Sequence, residues 1–311
     1  MKIGILGRSE VLLNSAKLLH DFGYEIAWIL TAPSEAYYLA HESDFESLAK
    51  TLGCAFYLES NIENPLFLNE LKSTGTNLVV SVNWPKVISE QVCNSFSYGI
   101  FNAHLGDLPR YRGNACPNWA IINGENRIGL SIHQMEPGSL DSGPIYCKDY
   151  LDLEGDTYIS DIYEWARLKI PSMFVDLIPK IMDESFKPEY QSKDPSTWLR
   201  CYPRRPSDSQ IQWNADSVTV DRLVRASSRP FAGAYTFLEG HRRLNIWRAE
   251  IFDHPGDYSA IPGQLMFLDN GDPVVACGKG ALKIKEYEIV DESESVQLVR
   301  MRSRLIFVAE R

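Results

Sequence analysis

The chain has 311 residues, enough for one large domain or two ordinary ones at roughly 150 residues each. Hydrophobic residues make up 44% and charged residues 23%, so it can bury a real core and is not a disordered polymer. With 31 Lys and Arg against 41 Asp and Glu the net charge is -10, which argues against nucleic acid or any polyanion held mainly by counterion release.

Residues Lys2 to Leu6 read as a buried strand. Val11 to Phe22 carries Leu12, Leu13, Ala16, Leu19 and Phe22 at helical spacing, closed by Gly23. A strand at Ile26 to Leu30 follows, then a helix at Phe45 to Leu52 stopped by Gly53, and a strand at Cys54 to Leu58. Asn64 caps a further helix with Pro65 in its first turn, and Leu78 to Val82 is another apolar strand. Alternating strands and helices predict an α/β domain with a Rossmann-like, mostly parallel sheet. Its first turn, Leu6-Gly7-Arg8-Ser9-Glu10, has one glycine where a dinucleotide fingerprint needs three, so NAD is not expected.

After a strand at Gly99 to Asn102 the chain is polar and loop-like until Trp119, with strands at Gly129 to Met135 and Pro144 to Leu151. Thr157 to Glu184 is a long helical stretch that Pro171 and Pro179 should kink or split. Lys187 to Ser209 is rich in Pro, Ser, Lys and Arg and reads as a linker. Beyond it, a short helix at Val218 to Ala226 precedes strands at Tyr235 to Leu238, Leu244 to Trp247, Gly263 to Leu268, Val274 to Cys277 and Ala281 to Ile289. That pattern predicts a smaller β-rich, barrel-like C-terminal domain. The expected division is residues 1–190 catalytic, 191–209 linker and 210–311 C-terminal.

No run approaches the roughly 18 apolar residues of a membrane span. The N-terminal MKIGILGRSE enters a strand without a signal-peptide profile, so a cytoplasmic protein without a membrane partner is expected. The six cysteines, at 54, 93, 116, 147, 201 and 277, are scattered singly without zinc-ligand spacing. They read as buried free thiols, and no metal is called for.

Asn102 and His104 are two residues apart, so a continuing strand points both side chains to one face at its carboxyl end. That is where sites form in open parallel sheets, and an amide donor beside an imidazole suits an oxyanion and acid/base pair. From spacing alone, an Asn and a His closing an ordinary turn is an equal alternative. Asp141, in Ser139-Leu140-Asp141-Ser142-Gly143, is by itself a routine turn aspartate. His133 alternates with Ser131 and Met135 along a strand and reads as a satisfied structural histidine.

Three ordered motifs change the balance: Asn102-x-His104, then Leu108-Pro109-x-x-Arg112-Gly113, then Asp141-x-Gly143. Together they make residues 1–185 resemble the folate-dependent formyltransferase family, most nearly its sugar N-formyltransferases and also methionyl-tRNA formyltransferase. Arg204-Arg205-Pro206-Ser207-Asp208 followed by Ile211-Gln212-Trp213 resembles the junction to that family's C-terminal domain. One departure is Leu105-Gly106-Asp107-Leu108-Pro109, where many relatives have x-S-L-L-P after the histidine.

The resemblance implies an N-formyltransferase that takes its formyl group from 10-formyltetrahydrofolate, without a metal. Asn102, His104 and Asp141 would be catalytic. Asn83, Trp84 and Val87 would line the place where relatives hold the pterin, although Trp84 alone reads equally as a packing residue. Arg112 would contact substrate. Arg204 and Arg205 could grip a sugar-nucleotide diphosphate or equally form a solvated linker. A nucleotide-linked amino sugar is the expected acceptor, and a homodimer is expected from similar sugar enzymes. The alternatives are methionyl-tRNA formylation and hydrolysis of formyltetrahydrofolate by water.

Overall fold

The structure, a computed structural model, describes residues 1–59, 61–238, 242–290 and 304–306. The chain divides into two compact units, each assembled from several segments. The first comprises Met1–Cys116, Ile128–Leu151 and Tyr163–Cys201, and the second Pro117–Arg127, Asp152–Ile162 and the chain from Tyr202 onward.

The first unit opens with β1 (Lys2–Gly7), α1 (Glu10–Asp21), β2 (Glu25–Thr31), α2 (Glu42–Leu52), β3 (Ala55–Leu58), α3 (Pro65–Ser73) and β4 (Leu78–Val82). The short α4 (Glu90–Cys93), β5 (Gly99–His104) and β6 (Arg112–Gly113) follow. In chain order there follow α5 (Cys116–Asn123), which belongs to the second unit from Pro117 onward, then β7 (Arg127–Gln134), β8 (Ile145–Asp152), α6 (Ile159–Met182), of which the first unit holds the part from Tyr163, and β9 (Arg200–Cys201). Seven strands form one sheet in the order β3-β2-β1-β4-β5-β7-β8. The pairs among β3, β2, β1, β4 and β5 are parallel, and β7 returns antiparallel to β5.

Local chemistry sets these boundaries. Asn64 accepts hydrogen bonds from Leu66 N and Phe67 N at the start of α3. Gly53, at φ 67°, closes α2 in the left-handed conformation. The single glycine of the first turn serves packing: Gly7 has φ 135°, and a Cβ there would lie 1.9 Å from Val82 O.

Strand alternation divides the unit's apolar residues between two faces of the sheet. Ile3, Ile5, Val80, Phe101, Leu130 and Ile132 pack with Leu12, Phe45, Phe174 and Leu177. Leu6, Trp28, Val79 and Ile100 pack with Leu68, Leu71 and Phe96 on the other. This second face turns polar at its β5 and β7 end, where Asn102, His104, Ser131 and His133 share it.

The two prolines do not split α6, which runs unbroken through Pro171 and Pro179. Each costs about 3 kcal/mol in a helix interior. Ile170, Met173, Phe174, Leu177 and Ile178 are all buried in the core, and at roughly 1.5–3 kcal/mol for each large side chain that burial outweighs the defect.

The stretch that reads as a linker is ordered over its first part. It contains a 3-10 turn at Pro195–Thr197 and β9, which pairs in parallel with β6. Residues to Cys201 belong to the first unit.

The second unit contains α7 (Ser217–Ser227), β10 (Ala234–Leu238), β11 (Arg243–Phe252), β12 (Leu265–Asp269), β13 (Asp272–Ala276), β14 (Ala281–Ile289) and β15 (Leu305–Ile306). These strands form an antiparallel sheet in the order β12-β13-β14-β11-β10-β15. A bridge between Gln264 and Arg304, with Leu305 N donating to Gly263 O at 2.8 Å, joins its two edges. Inside lie Val220, Val224, Leu244, Ile246, Leu282 and Ile284. Trp213 is in the same core, its indole N–H donating to Thr236 Oγ1 at 3.0 Å. Residues 291–303 and 307–311 of the expected C-terminal domain lie outside the described residues.

Candidate active site

Strand β5 continues two residues beyond the expected Asn102 and ends at His104. The antiparallel register sets Asn102 opposite His133 and His104 opposite Ser131, so four polar side chains share one face at the carboxyl end of the parallel strands. Asn102 is partly exposed, and among the described residues its side-chain amide makes no hydrogen bond. His104 is 8% exposed.

The His104 ring is held at both nitrogens. Its Nε2 lies 2.6 Å from the carbonyl oxygen of Tyr111, and a carbonyl can only accept, so Nε2 carries the proton. Nδ1 is then the basic nitrogen, and it faces Asp141 Oδ2 at 3.6 Å. Gly106 makes this pose possible: a Cβ there would fall 2.5 Å from His104 Nε2 and 2.4 Å from Tyr111 O. Gly106 is itself pinned, its N–H donating to His104 O at 3.0 Å and its carbonyl accepting from Ser131 Oγ at 2.9 Å. The departure from x-S-L-L-P therefore lies directly against the histidine.

Asp141 links the motifs. Oδ2 accepts the Gly113 N–H at 2.8 Å, and Oδ1 lies 3.4 Å from His133 Nε2. Burial alone would raise its carboxyl pKa, but His104, His133 and the Gly113 N–H outweigh it and hold the group far below the ordinary carboxylate range. Asp141 is thus a stably ionised carboxylate between two imidazoles. Tyr111 at φ 56° and Asp141 at φ 52° occupy the left-handed region, a cost of order 1–3 kcal/mol each that only a well-determined surrounding sustains.

The reading of His133 as a satisfied structural histidine needs correction. Its Nδ1 lies 3.0 Å from Gln134 O, but Nε2 is buried without a hydrogen-bond partner and is aimed at Asp141. The β5–β7 register, which sets this second histidine opposite Asn102, is what brings it to the site.

His133 and Asp141 also line a groove with Lys86, Val87, Ile88, Cys93, Met135, Glu136, Ser139 and Leu140. Val87 is 75% exposed and Leu140 39%, so the groove offers apolar walls to a flat ring. The Trp84 indole N–H is buried without a partner, while Asn83, at φ 56°, accepts Arg8 Nε on its carbonyl at 3.1 Å. Apolar walls beside His133 and Asp141 suit a heteroaromatic ring with polar edges.

Arg112 is buried and turned inward. Its Nε and Nη2 donate to Gln191 Oε1 at 3.2 and 2.6 Å, and its guanidinium stacks 4.4 Å from the Trp198 ring. Arg204 and Arg205 belong to the second unit. Arg204 Nη2 donates to Asp208 O, Ser209 Oγ and Ser227 Oγ at 3.1–3.2 Å, whereas Arg205 is exposed. All six cysteines are free. The Cys116 thiol donates to Tyr111 O at 3.0 Å, and its hydrogen bond with Cys201, together with burial, pushes its pKa well up. A thiolate nucleophile there is disfavoured. Among the described residues no group of three or more His, Cys, Asp or Glu is placed to hold a metal ion, and no helix is long and apolar enough to cross a membrane.

The chain matches the formyl transferase family over residues 9–178 and the formyl transferase C-terminal domain over residues 204–295. It belongs to the formyl transferase family, enzymes that take a formyl group from a folate. A methionyl-tRNA formyltransferase of Caldanaerobacter subterraneus subsp. tengcongensis is 28% identical over 292 residues, covering 93% of this chain and 92% of that one. The N-formyltransferase of Helicobacter canadensis, in complex with folinic acid and dTDP-3-aminofucose, shares the fold at TM-score 0.66 and 13% identity, over 92% of this chain and 99% of that one. HypX of Aquifex aeolicus in complex with tetrahydrofolic acid aligns at TM-score 0.61 and 15% identity over 93% of this chain. This chain spans only 44% of HypX.

Proposed function

We propose that the enzyme transfers the formyl group of 10-formyltetrahydrofolate to the amine of a nucleotide-linked amino sugar, in the cytoplasm and without a metal. The observation that carries the chemistry is an unengaged Asn102 amide beside a histidine whose Nδ1 faces Asp141. The amine nitrogen attacks the formyl carbon, and the carbonyl electrons move onto oxygen. Asn102 donates to that oxyanion. Asp141 is too weak a base to take the amine proton, so His104 Nδ1 takes it and the carboxylate stabilises the imidazolium. Collapse breaks the bond from the formyl carbon to N10 of the folate, which receives the proton from His104. Tetrahydrofolate and the N-formyl sugar result. The groove containing Val87, His133 and Leu140 is the proposed seat of the pterin, with Asn83 and Trp84 at its edge.

The acceptor reading rests on the acidic chain and on the nucleotide sugar bound by the Helicobacter canadensis enzyme of the same fold. Arg204 and Arg205, the latter exposed, are the proposed diphosphate contacts, and Arg112 is separately a proposed substrate contact. The division at 1–190, 191–209 and 210–311 and a homodimer go with this reading. The 28% identity to a methionyl-tRNA formyltransferase favours a second acceptor, methionyl-tRNA.

Formylation assays over UDP- and dTDP-linked amino sugars and methionyl-tRNA separate the two. Transfer to a nucleotide sugar with weak salt dependence is expected. Efficient tRNA formylation that falls steeply with salt would overturn the acceptor. Formate release without any amine would identify a hydrolase. A tetrahydrofolate analogue should raise the melting temperature and NAD should not.

A further inference from the structure

We infer that Gln191, in the stretch that reads as a linker, is a positioning residue that holds the Asp141 carboxylate against His104. Its Nε2 donates to two backbone carbonyls of the Asp141 turn, to Asp141 O at 2.9 Å and Gly143 O at 2.7 Å. Its Oε1 is fixed in turn by both Arg112 donors, and the Arg112 guanidinium is stacked on Trp198. One amide therefore ties the motif Arg112-Gly113 to the motif Asp141-x-Gly143 from behind. Gly113 N–H holds the carboxylate itself from the front.

The device has a physical purpose. Asp141 sits at φ 52°, a conformation that needs outside restraint. A Cβ on Gly143 would lie 1.9 Å from Gln134 O, so the turn is pressed close to β7 on its other side. Gln191 adds two further bonds to the same turn. Without it the carboxylate keeps its charge but loses its fixed place between the imidazoles. Arg112 acts in this assembly by orienting the Gln191 amide, so its guanidinium positions a group that never meets the substrate.

The inference rests on the reading of Asp141 as the carboxylate that serves His104. Gln191→Met removes both amide functions while keeping most of the side-chain length. We expect kcat to fall on the order of 10- to 100-fold, with KM for formyl donor and acceptor essentially unchanged. In an Asp141→Asn background, Gln191→Met should cause no further loss, because it acts only through that carboxylate. The Gly113 amide proton, hydrogen-bonded to Asp141 Oδ2, should move upfield in Gln191→Met by NMR, a readout independent of activity.

Should Gln191→Met fail to fold by circular dichroism, Gln191→Asn, which cannot reach both carbonyls, carries the same expectations. Wild-type kcat with an unmoved Gly113 resonance would overturn the inference. So would an equal loss in the Asp141→Asn background, which would mean a general structural effect. If Asp141→Asn alone keeps wild-type kcat, the reading of Asp141 fails first, and the Gly113 resonance then only reports the turn's geometry.

Discussion

Gly106 and His104 are fitted to each other: the imidazole Nε2 occupies space that any Cβ at 106 would take, at 2.5 Å. Gly106→Ala should therefore displace the ring from the Tyr111 carbonyl. Overpacking of this kind costs about 1–3 kcal/mol, and a ring displaced by about 1 Å costs on the order of 100-fold in kcat. Steady-state kinetics with a melting curve test this. An Ala variant with unchanged kcat would show that the Tyr111 contact is irrelevant to turnover.

The catalytic group should behave as a unit. His104→Ala, Asn102→Ala and Asp141→Ala should each lower kcat on the order of 100-fold or more, with smaller effects on substrate binding. A double replacement of His104 and Asp141 should resemble the worse single. Multiplication of the two losses would mean that the side chains act separately. A folded His104→Ala with near-normal kcat would end the proposal.

Asp141 also makes stability depend on pH. Its folded-state pKa is depressed, below the unfolded value of about 3.9. Its contribution is therefore present above that unfolded value and lost as pH falls through the lower folded one. Urea unfolding of wild type and Asp141→Asn should give a stability gap that narrows as the pH falls below about 4. A gap that widens as the pH falls below about 4 would reverse the assigned sign.

In α7, Arg225 Nε donates to Asp221 Oδ2 at 2.8 Å, both side chains being buried. Burial raises the Asp221 pKa despite this partner. Arg225→Met strands the carboxyl and should destabilise the second unit by about 3–5 kcal/mol, while Asp221→Leu with Arg225→Met should recover most of it. Calorimetry on the full chain decides the point.

Much of this arrangement was legible before any coordinates. Apolar runs and caps such as Asn64 and Gly53 report local energetics, so the order of strands and helices follows from them. The Asn102-x-His104 pair was readable because alternation along one strand fixes its face. His133 was not, because its meeting with Asp141 depends on the β5–β7 register and on a turn held in the left-handed region. Gln191 carried no local signal at all: its partners are 50 and 79 residues away in sequence. The polar, proline-rich composition around it resembles that of a free connector. The bonds of Arg112 to Gln191 were equally silent, since a motif arginine reads the same whether it faces outward or inward.

The bridge from Gln264 to Arg304 covers the start of β12 with the strand that flanks β10. An unpaired edge strand presents a row of backbone donors and acceptors to any passing chain. Deleting residues 304–306 would expose β10 on one side and the Gly263–Gln264 end of β12 on the other. The consequence reaches beyond lost stability: such a variant should aggregate through strand-to-strand pairing, seen as concentration-dependent light scattering, while formyl transfer chemistry in freshly purified, unaggregated protein persists.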